Sequence, residues 1–476
     1  MSEAAPARRV ALAILSRQRR RSAFARDLLR TSSEMDSLGP HARALASRLV
    51  LGAIAASGEI DRRLTAHLNR GRSHIEPRVL DAFRISAFEV LYLETRPSVS
   101  VSQGVELVRR VNPKAAGLAN AILRKLADQD RPEVDAARTA VMAHEASRDD
   151  LVTASGLPSW LVGRLVSSVG LDATCDLCGC QLEPAPIYVA GNRALHDPEQ
   201  TLDLLEAAEL EPVGTPLPGV FLLGHSAGLS FSGLVEGVDV VVSDMGSQMS
   251  ALVATPLPGT DMLEVGAGRA TKTILLQSGA YSLGGPAELV CLDSAPYKVK
   301  LARERVSHGW AEHVHEVVLD ATTLAGDALP EGLEGPFDSI LVDAPCSGTG
   351  TMRRHPEIPW SLKEGSLDPD VESSLPSLQL RILEAASARV RPGGALTYAT
   401  CSVLAEEDED VVDAFLASEQ GAGFSLVSVM EAPAVDASAP EVHELVSSHL
   451  SERGCLRSCP TPGSFDGHFC ARLVRA

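Results

Sequence analysis

The sequence predicts a multidomain protein in which an all-α bundle precedes a larger α/β domain of Rossmann-like type. Three observations predict it. Residues 5–127 carry helical apolar periodicity with few β-branched runs. From residue 238 onward, short apolar strands alternate with helical stretches. The charge balance also reverses: residues 1–125 hold 22 Lys and Arg against 11 Asp and Glu, while the remainder carries −30, which makes −19 overall. A chain of 476 residues suits two to three domains.

In the first segment, Leu118, Ala119, Ile122, Leu123 and Leu126 recur at the spacing of one helix face. Asn112 followed by Pro113 supplies a start signal, a capping side chain and then a residue preset for the first turn. Leu45, Leu49 and Ala53 repeat the stripe earlier. A basic helical block on an acidic body fits a nucleic-acid anchor joined to a second module, or equally an Arg-rich soluble bundle. The polar stretch 128–145, with Pro132, reads as a linker. Residues 140–235, broken by Pro184, Pro186, Pro212, Pro216 and Pro218, read as a small α/β adaptor with a strand at Ile187–Val189.

The remaining strands are expected at Val238–Val242, Met262–Val265, Leu289–Leu292, Val317–Leu319, Ile340–Val342 and Ala395–Tyr398, with helices at Tyr297–Val306 and Leu378–Val390. Such alternation means a parallel sheet covered on both faces, with functional residues at the carboxyl ends of its strands. The boundaries expected are 1–135, 140–235 and 236–476. A composition of 45% apolar and 22% charged residues excludes a disordered chain. No apolar run is long enough to span a bilayer. Met1–Val10 lacks the apolar core of an export signal, and nine cysteines in no regular framework suit a reducing compartment. A cytoplasmic protein is therefore expected, and, with no coiled-coil pattern, a monomer.

The strand Met262–Val265 runs into Gly266-Ala267-Gly268-Arg269-Ala270-Thr271-Lys272. A dinucleotide fingerprint wants a third glycine where Thr271 stands, which disfavours a dehydrogenase. Glu264-x-Gly266-x-Gly268 suits an S-adenosylmethionine loop better. Asp293, at the next strand end, is placed for ribose hydroxyls, and Asp320, at the one after, for the adenine amino group; the competing reading of each is a helix cap. Asp343-Ala344-Pro345-Cys346-Ser347-Gly348-Thr349-Gly350 follows one buried strand, and Tyr398-Ala399-Thr400-Cys401-Ser402 another. Both thiols thus fall on the sheet edge that carries the acids.

These last two motifs, with Arg353-Arg354-His355-Pro356-Glu357-Ile358-x-Trp360 and the C-terminal Asp466-Gly467-x-Phe469-x-Ala471-x-Leu473, resemble the Nol1/Nop2/Sun family of RNA 5-methylcytosine methyltransferases, in its bacterial Sun/RsmB branch. Gly117-Leu118-Ala119-Asn120-Ala121-Ile122-Leu123-Arg124 resembles that branch's NusB-like RNA-binding domain. The resemblance implies a class I methyltransferase domain, S-adenosylmethionine as cofactor and small-subunit (16S) ribosomal RNA as partner, with neither DNA nor a membrane involved. It implies Cys401 as nucleophile at cytosine C6, Asp343 as the group holding the base near N3, and Cys346 as the aid to product release. It implies a cofactor site of Glu264, Gly266, Ala267, Gly268, Lys272, Asp293, Asp320 and Asp343.

The loop departs from the family's Asp-x-Cys-Ala-Ala-Pro-Gly-Gly-Lys-Thr, setting Arg269 and Thr271 near the methionine end. That departure motivates the alternative of a non-catalytic RNA-binding or ribosome-assembly protein, which measured cofactor affinity separates. Cys175-x-x-Cys178-x-Cys180 has metal-like spacing without a nearby fourth ligand, so no metal is expected. His355 reads as structural or RNA-facing, and the acidic run Glu406–Asp410 as a helix N-terminus favoured by its dipole.

Overall fold

A computed structural model describes residues 5–21, 24–68, 71–307 and 312–476. Met1–Ala4, part of the stretch read for an export signal, lie outside them. The chain divides into two units: residues 1–184 with 351–362 and 460–463, and residues 185–350 with 363–459 and 464–476.

The first unit is helical. Its main helices are α1 (Ala5–Arg21), α2 (Ala25–Arg30), α3 (Pro40–Ala55), α4 (Ser57–Ala66), α5 (Pro77–Tyr92), α6 (Pro97–Val111) and α7 (Ala116–Lys125). Proline opens α3, α5 and α6, where its missing N–H breaks no intrahelical bond. Ile14, Leu49, Phe83, Ile85, Phe88 and Leu91 fill the core. Four of the five stripe residues at 118–126 are buried; Leu118 is exposed. Asn112 does cap, its side chain accepting the Lys114 amide at 3.1 Å.

Part of the basic surplus is internal. Arg8 and Glu89 form a buried bidentate pair, and Arg63 reaches Glu59, Asp130 and Glu133 at 2.6, 2.8 and 2.9 Å. The expected linker at 128–145 is instead helical. A π-helical turn at Leu126–Asp130 leads into α8 (Arg131–Met142), which buries Val134, Ala137 and Val141. Pro132 does not break the helix because it sits in the first turn, where proline is tolerated. Two further helices follow, α9 (Arg148–Ser155) and α10 (Ser159–Cys180), the latter interrupted at Gly170. Cys175, Cys178 and Cys180 are buried on α10, and among the described residues no three metal-ligating side chains gather.

The segment 351–362 completes this unit. The Trp360 ring lies so close to Gly58 that a Cβ there would sit 2.3 Å from it. Glu357 Oε1 accepts the Ala25 amide at 2.6 Å, and the Arg26 side chain donates to the Arg354 carbonyl.

The second unit opens with β1 (Tyr188–Gly191), α11 (Pro198–Ala207), β2 (Pro212–Gly214), β3 (Val220–Leu223) and β4 (Val240–Val242). These strands form an antiparallel sheet of order β2-β3-β1-β4. The strand expected at 238–242 therefore belongs to this small sheet, and it starts late because Val238 adopts φ +60°.

Next come α12 (Met245–Ala254), β5 (Asp261–Val265), α13 (Thr271–Ser282), β6 (Glu288–Asp293), α14 (Pro296–Val306), β7 (Val314–Val318), β8 (Phe337–Asp343), α15 (Leu375–Ser387), β9 (Val390–Thr400), α16 (Glu409–Ala417), β10 (Phe424–Val427), β11 (Leu456–Ser458) and β12 (His468–Arg475). They build an eight-stranded sheet of order β10-β12-β9-β8-β5-β6-β7, with β11 on the side of β12. Strands β5 to β9 run parallel, and β12 joins β9 antiparallel. The fold is thus the helical bundle plus Rossmann-like α/β domain that the sequence predicts. The chain winds outward from β5 through β6 and β7, then returns to β8 on the other side of β5. The order of the strands therefore reverses direction at β5 and β8, and in open α/β sheets the carboxyl edge at such a point is where ligands bind. Among the described residues no helix is long and apolar enough to cross a membrane.

Candidate active site

The loop after β5 turns sharply because its backbone lies in the left-handed region at Gly266 (φ +87°), Gly268 (φ +57°) and Ala270 (φ +62°). The Gly266 and Ala267 amides both donate to the Leu292 carbonyl of β6, at 2.9 and 3.0 Å. A Cβ on Gly266 would lie 2.3 Å from the Asp343 carbonyl oxygen, so the β5 and β8 loops approach each other only through glycine. The departures from the family pattern leave this turn intact. Arg269 is exposed, and the Thr271 hydroxyl accepts from Arg305 of α14 at 3.3 Å.

Each acid has a distinct environment. Asp293 ends β6 and accepts the Gly268 amide (3.2 Å), the Ala295 amide (2.8 Å) and the Lys298 ammonium (3.2 Å). It thereby ties the glycine loop to the start of α14. Glu264 is fully buried beneath the loop and accepts the Thr273 hydroxyl at 2.5 Å, while its Oε1 has no hydrogen-bond partner. Burial pushes its pKa up to about 7, the Thr273 hydrogen bond opposing and the Asp343 charge adding. Asp320 is exposed two residues past β7, and its Oδ1 accepts both the amide and the hydroxyl of Thr322. The structure thus makes Asp320 a cap of its own turn.

At the β5–β8 junction Lys272 donates to Asp343 Oδ2 at 2.7 Å. Burial works against the Lys272 charge, but the Asp343 carboxylate outweighs it and raises the pKa. Asp343 stands opposite Ala399 in the β8–β9 register, which brings the loops after both strands to the same edge. There Cys346 and Cys401 meet, with sulfurs 3.3 Å apart and both thiols free and partly exposed. The hydrogen bond with Cys401 and then burial push the Cys346 pKa well above its ordinary value. Two thiols, a cation and a carboxylate at one edge can attack an electron-poor carbon, orient a ring and manage a proton.

Residues 255–474 match the family model described as 16S rRNA methyltransferase RsmB/F, and residues 5–128 match that of the NusB family. The chain thus carries an RsmB/F methyltransferase domain after a NusB-family domain. A probable ribosomal RNA small subunit methyltransferase B of Bacillus subtilis is 28% identical over 86% of this chain and 88% of its own length. The ribosomal RNA small subunit methyltransferase B of Salmonella newport is 28% identical over 82% and 86%. Among solved structures, PH0851 covers 99% of both chains with a TM-score of 0.71 at 20% identity. A methyltransferase homologue from Pyrococcus horikoshii covers 69% of this chain and 98% of its own, with a TM-score of 0.53 at 18% identity. These two likenesses show the fold.

Of the residues singled out in the sequence, the structure gathers Gly266, Lys272, Asp343, Cys346 and Cys401, and links Asp293 to them through Gly268. Asp320 is bound only into its own turn by its hydrogen bonds to Thr322. Two features of this RsmB/F domain escaped sequence reasoning. The C-terminal motif lies against the cysteine loop: the Gly467 amide donates to the Gly350 carbonyl (2.9 Å) and the Gly350 amide to the Cys401 carbonyl (3.0 Å). Beside it His468 is buried, and burial with the Lys272 charge pushes its pKa down to about 4, leaving a neutral ring.

The acidic run divides between two environments. Glu409 and Asp410 do open α16, but Glu407 and Asp408 are fully buried and turn inward. Helical periodicity gave no signal of this, because a 3-10 turn at Ala405–Glu407 and a non-helical Asp408 (φ −111°, ψ −99°) precede the helix.

Proposed function

We propose that the protein methylates carbon 5 of a cytosine in small-subunit (16S) ribosomal RNA, with S-adenosylmethionine as methyl donor and Cys401 as covalent nucleophile. The observation that carries this reading is the pair of free thiols 3.3 Å apart beside the Lys272–Asp343 ion pair, at the edge where β5, β8 and β9 end. An enzyme acting on an amino nitrogen has no use for two thiols there.

When bound, S-adenosylmethionine supplies an electrophilic methyl on a sulfonium. The glycine loop and its neighbours fit such a group in kind. Gly266 and Gly268 hold the left-handed backbone of a tight turn that can approach a ligand closely, the Asp293 carboxylate at a strand end suits ribose hydroxyls, and Lys272 suits a carboxylate. We assign Glu264 to the same site as a brace of the loop through Thr273, and Ala267 and Gly268 as its backbone wall; Asp320 would take the adenine side.

Cytosine C5 is a weak nucleophile. Cys401 Sγ bonds to C6 as thiolate, which moves electron density to C5. Asp343 hydrogen-bonds the base near N3 and steadies the adduct. Once C5 carries the methyl, a base takes the C5 proton, and the electrons of that C–H bond re-form the C5–C6 double bond as the C6–S bond breaks and Cys401 leaves as thiolate; Cys346 aids this release. The base must leave its stack first, at a cost of a few kcal/mol that is smaller in a loop.

The test is labelled S-adenosylmethionine with small-subunit rRNA lacking 5-methylcytosine, beside Cys401→Ala and Cys346→Ala. Label on a cytosine, lost in Cys401→Ala, and a stalled protein–RNA adduct in Cys346→Ala are expected. Undiminished transfer by Cys401→Ala would remove the thiol from the mechanism.

A further inference from the structure

We infer that Glu407 is a positioning residue for methyl transfer, its buried carboxylate clasping together the two loops that carry Cys346 and Cys401. This rests on the reading of those thiols as the reacting pair. The residues that Glu407 holds are the immediate neighbours of the thiols in sequence. Its Oε2 accepts the hydroxyl of Ser347, next to Cys346, at 2.5 Å, and the hydroxyl of Ser402, next to Cys401, at 2.6 Å. Its Oε1 accepts the Ser347 amide at 2.7 Å and the Gln379 side-chain amide at 3.1 Å. Four donors converge on one carboxylate that has no exposure to solvent.

Every group around the clasp is itself held. Gln379 also donates to the Pro345 carbonyl at 2.9 Å, so the loop after β8 is gripped on both sides of Cys346. Thr349 Oγ1 lies 3.0 Å from Ser402 Oγ and accepts the Val403 amide at 3.2 Å, a second link between the loops. The Tyr398 hydroxyl, buried in β9, donates to the Glu407 carbonyl at 2.6 Å and fixes the backbone from which the carboxylate reaches. The two strands alone do not set the separation of sulfurs that lie beyond their ends. The clasp does, because it joins the residue after one thiol to the residue after the other.

The choice of a carboxylate has a chemical consequence. A buried carboxyl that accepts four hydrogen bonds is favoured in its charged form by its partners, although burial on balance raises its pKa. Its charge adds to the Cys401 hydrogen bond and to burial in keeping the proton on Cys346. Negative charge is thus discouraged at the Cys346 sulfur. A neutral amide of the same shape keeps part of the clasp and loses this bias.

The full-length protein with Glu407→Gln, Glu407→Ala and Ser402→Ala tests the proposal by two readouts. The first is single-turnover methyl transfer to small-subunit rRNA lacking 5-methylcytosine, with KM for RNA and cofactor. The Gln variant is expected to lose about 100-fold in kcat, the penalty of displacing a reacting group by about 1 Å, with both KM values within about twofold. Ala loses more and Ser402→Ala less. The second readout is the pH dependence of Cys346 alkylation by iodoacetamide, followed by peptide mass in a Cys401→Ser background. Glu407→Gln should move that profile to lower pH, which loss of packing alone would not do.

Wild-type kcat in a folded Gln variant, or an unmoved alkylation profile, overturns the proposal. If Glu407→Ala does not fold, Ser402→Ala decides by the same kcat criterion. Cys401→Ala is run alongside. Transfer surviving in that variant sinks the thiol mechanism, whereas the alkylation profile reports on the clasp independently of activity.

Discussion

Replacing Gly266 by alanine probes whether the close approach of the β5 and β8 loops is what places Asp343. Two penalties can be worked from the structure. The backbone at φ +87° is a conformation that an L-residue adopts at a cost of about 1–2 kcal/mol. The new Cβ would also lie 2.3 Å from the Asp343 carbonyl oxygen, so that oxygen must retreat by roughly 1 Å to reach ordinary contact. The total is a loss of about 2–4 kcal/mol in urea unfolding.

The same displacement moves the carboxylate that Lys272 holds at 2.7 Å, and methyl transfer should slow by about 100-fold. Gly268→Ala is the control. Its φ is +57°, but its nearest contact is an ordinary 3.9 Å from the Gly266 carbonyl oxygen, so only the backbone penalty applies, about 1–2 kcal/mol. Urea titration and the labelled-methyl assay on both variants separate strain from displacement. Equal stability and equal rates for the two would refute the argument that contact with Asp343 matters.

Three further outcomes follow from the same geometry. The Glu264 carboxyl has its pKa raised to about 7 in the folded state against 4.5 unfolded, so the stability it contributes is fully present below pH 4.5 and is lost as pH rises through 7. Wild type should therefore lose about 3 kcal/mol relative to Glu264→Gln between pH 4 and pH 8, read by urea midpoints; parallel curves would contradict it. Lys272→Met strips a carboxylate of its counter-charge and should cost about 3 kcal/mol and most of the methyl transfer, unless the two unfolding curves superimpose. Gly58→Ala would drive a Cβ to 2.3 Å from the Trp360 ring, so tryptophan emission should shift to the red with a loss of about 1–3 kcal/mol in stability; an unchanged spectrum would show that the ring does not dock there.

Much of the fold was legible because periodicity is a local property. Strands at 262–265, 289–292 and 340–342 are short apolar runs bounded by turn residues, and each appears with ends shifted by a few residues. Local patterns are ambiguous where one residue type has two uses. Pro132 marks a break in many sequences, but here it opens the helix Arg131–Met142. The apolar run at 238–242 looked like the other strands, and nothing local tells a strand which sheet it will join. The stretch 353–360 stands out as a motif, yet its membership in the helical unit, within 351–362, is invisible in the sequence, since Gly58 and Trp360 lie far apart along the chain.

By itself the sequence determined which chemical groups this protein possesses and to which strand ends they belong. Asp293, Asp343, Cys346 and Cys401 were placed at one sheet edge from the strand–turn pattern alone, because a parallel α/β sheet sends all such turns the same way. Tertiary structure alone decided how close they come and what each faces. It put the two sulfurs 3.3 Å apart, closed the Lys272–Asp343 pair, turned Asp320 into the cap of its own turn and folded Glu407 inward beneath both thiols. The physical reason is that a strand pattern fixes direction and order, whereas distances across neighbouring strands depend on non-local contacts. Here those contacts run through the missing side chain of Gly266 and through a carboxylate that reaches two loops at once.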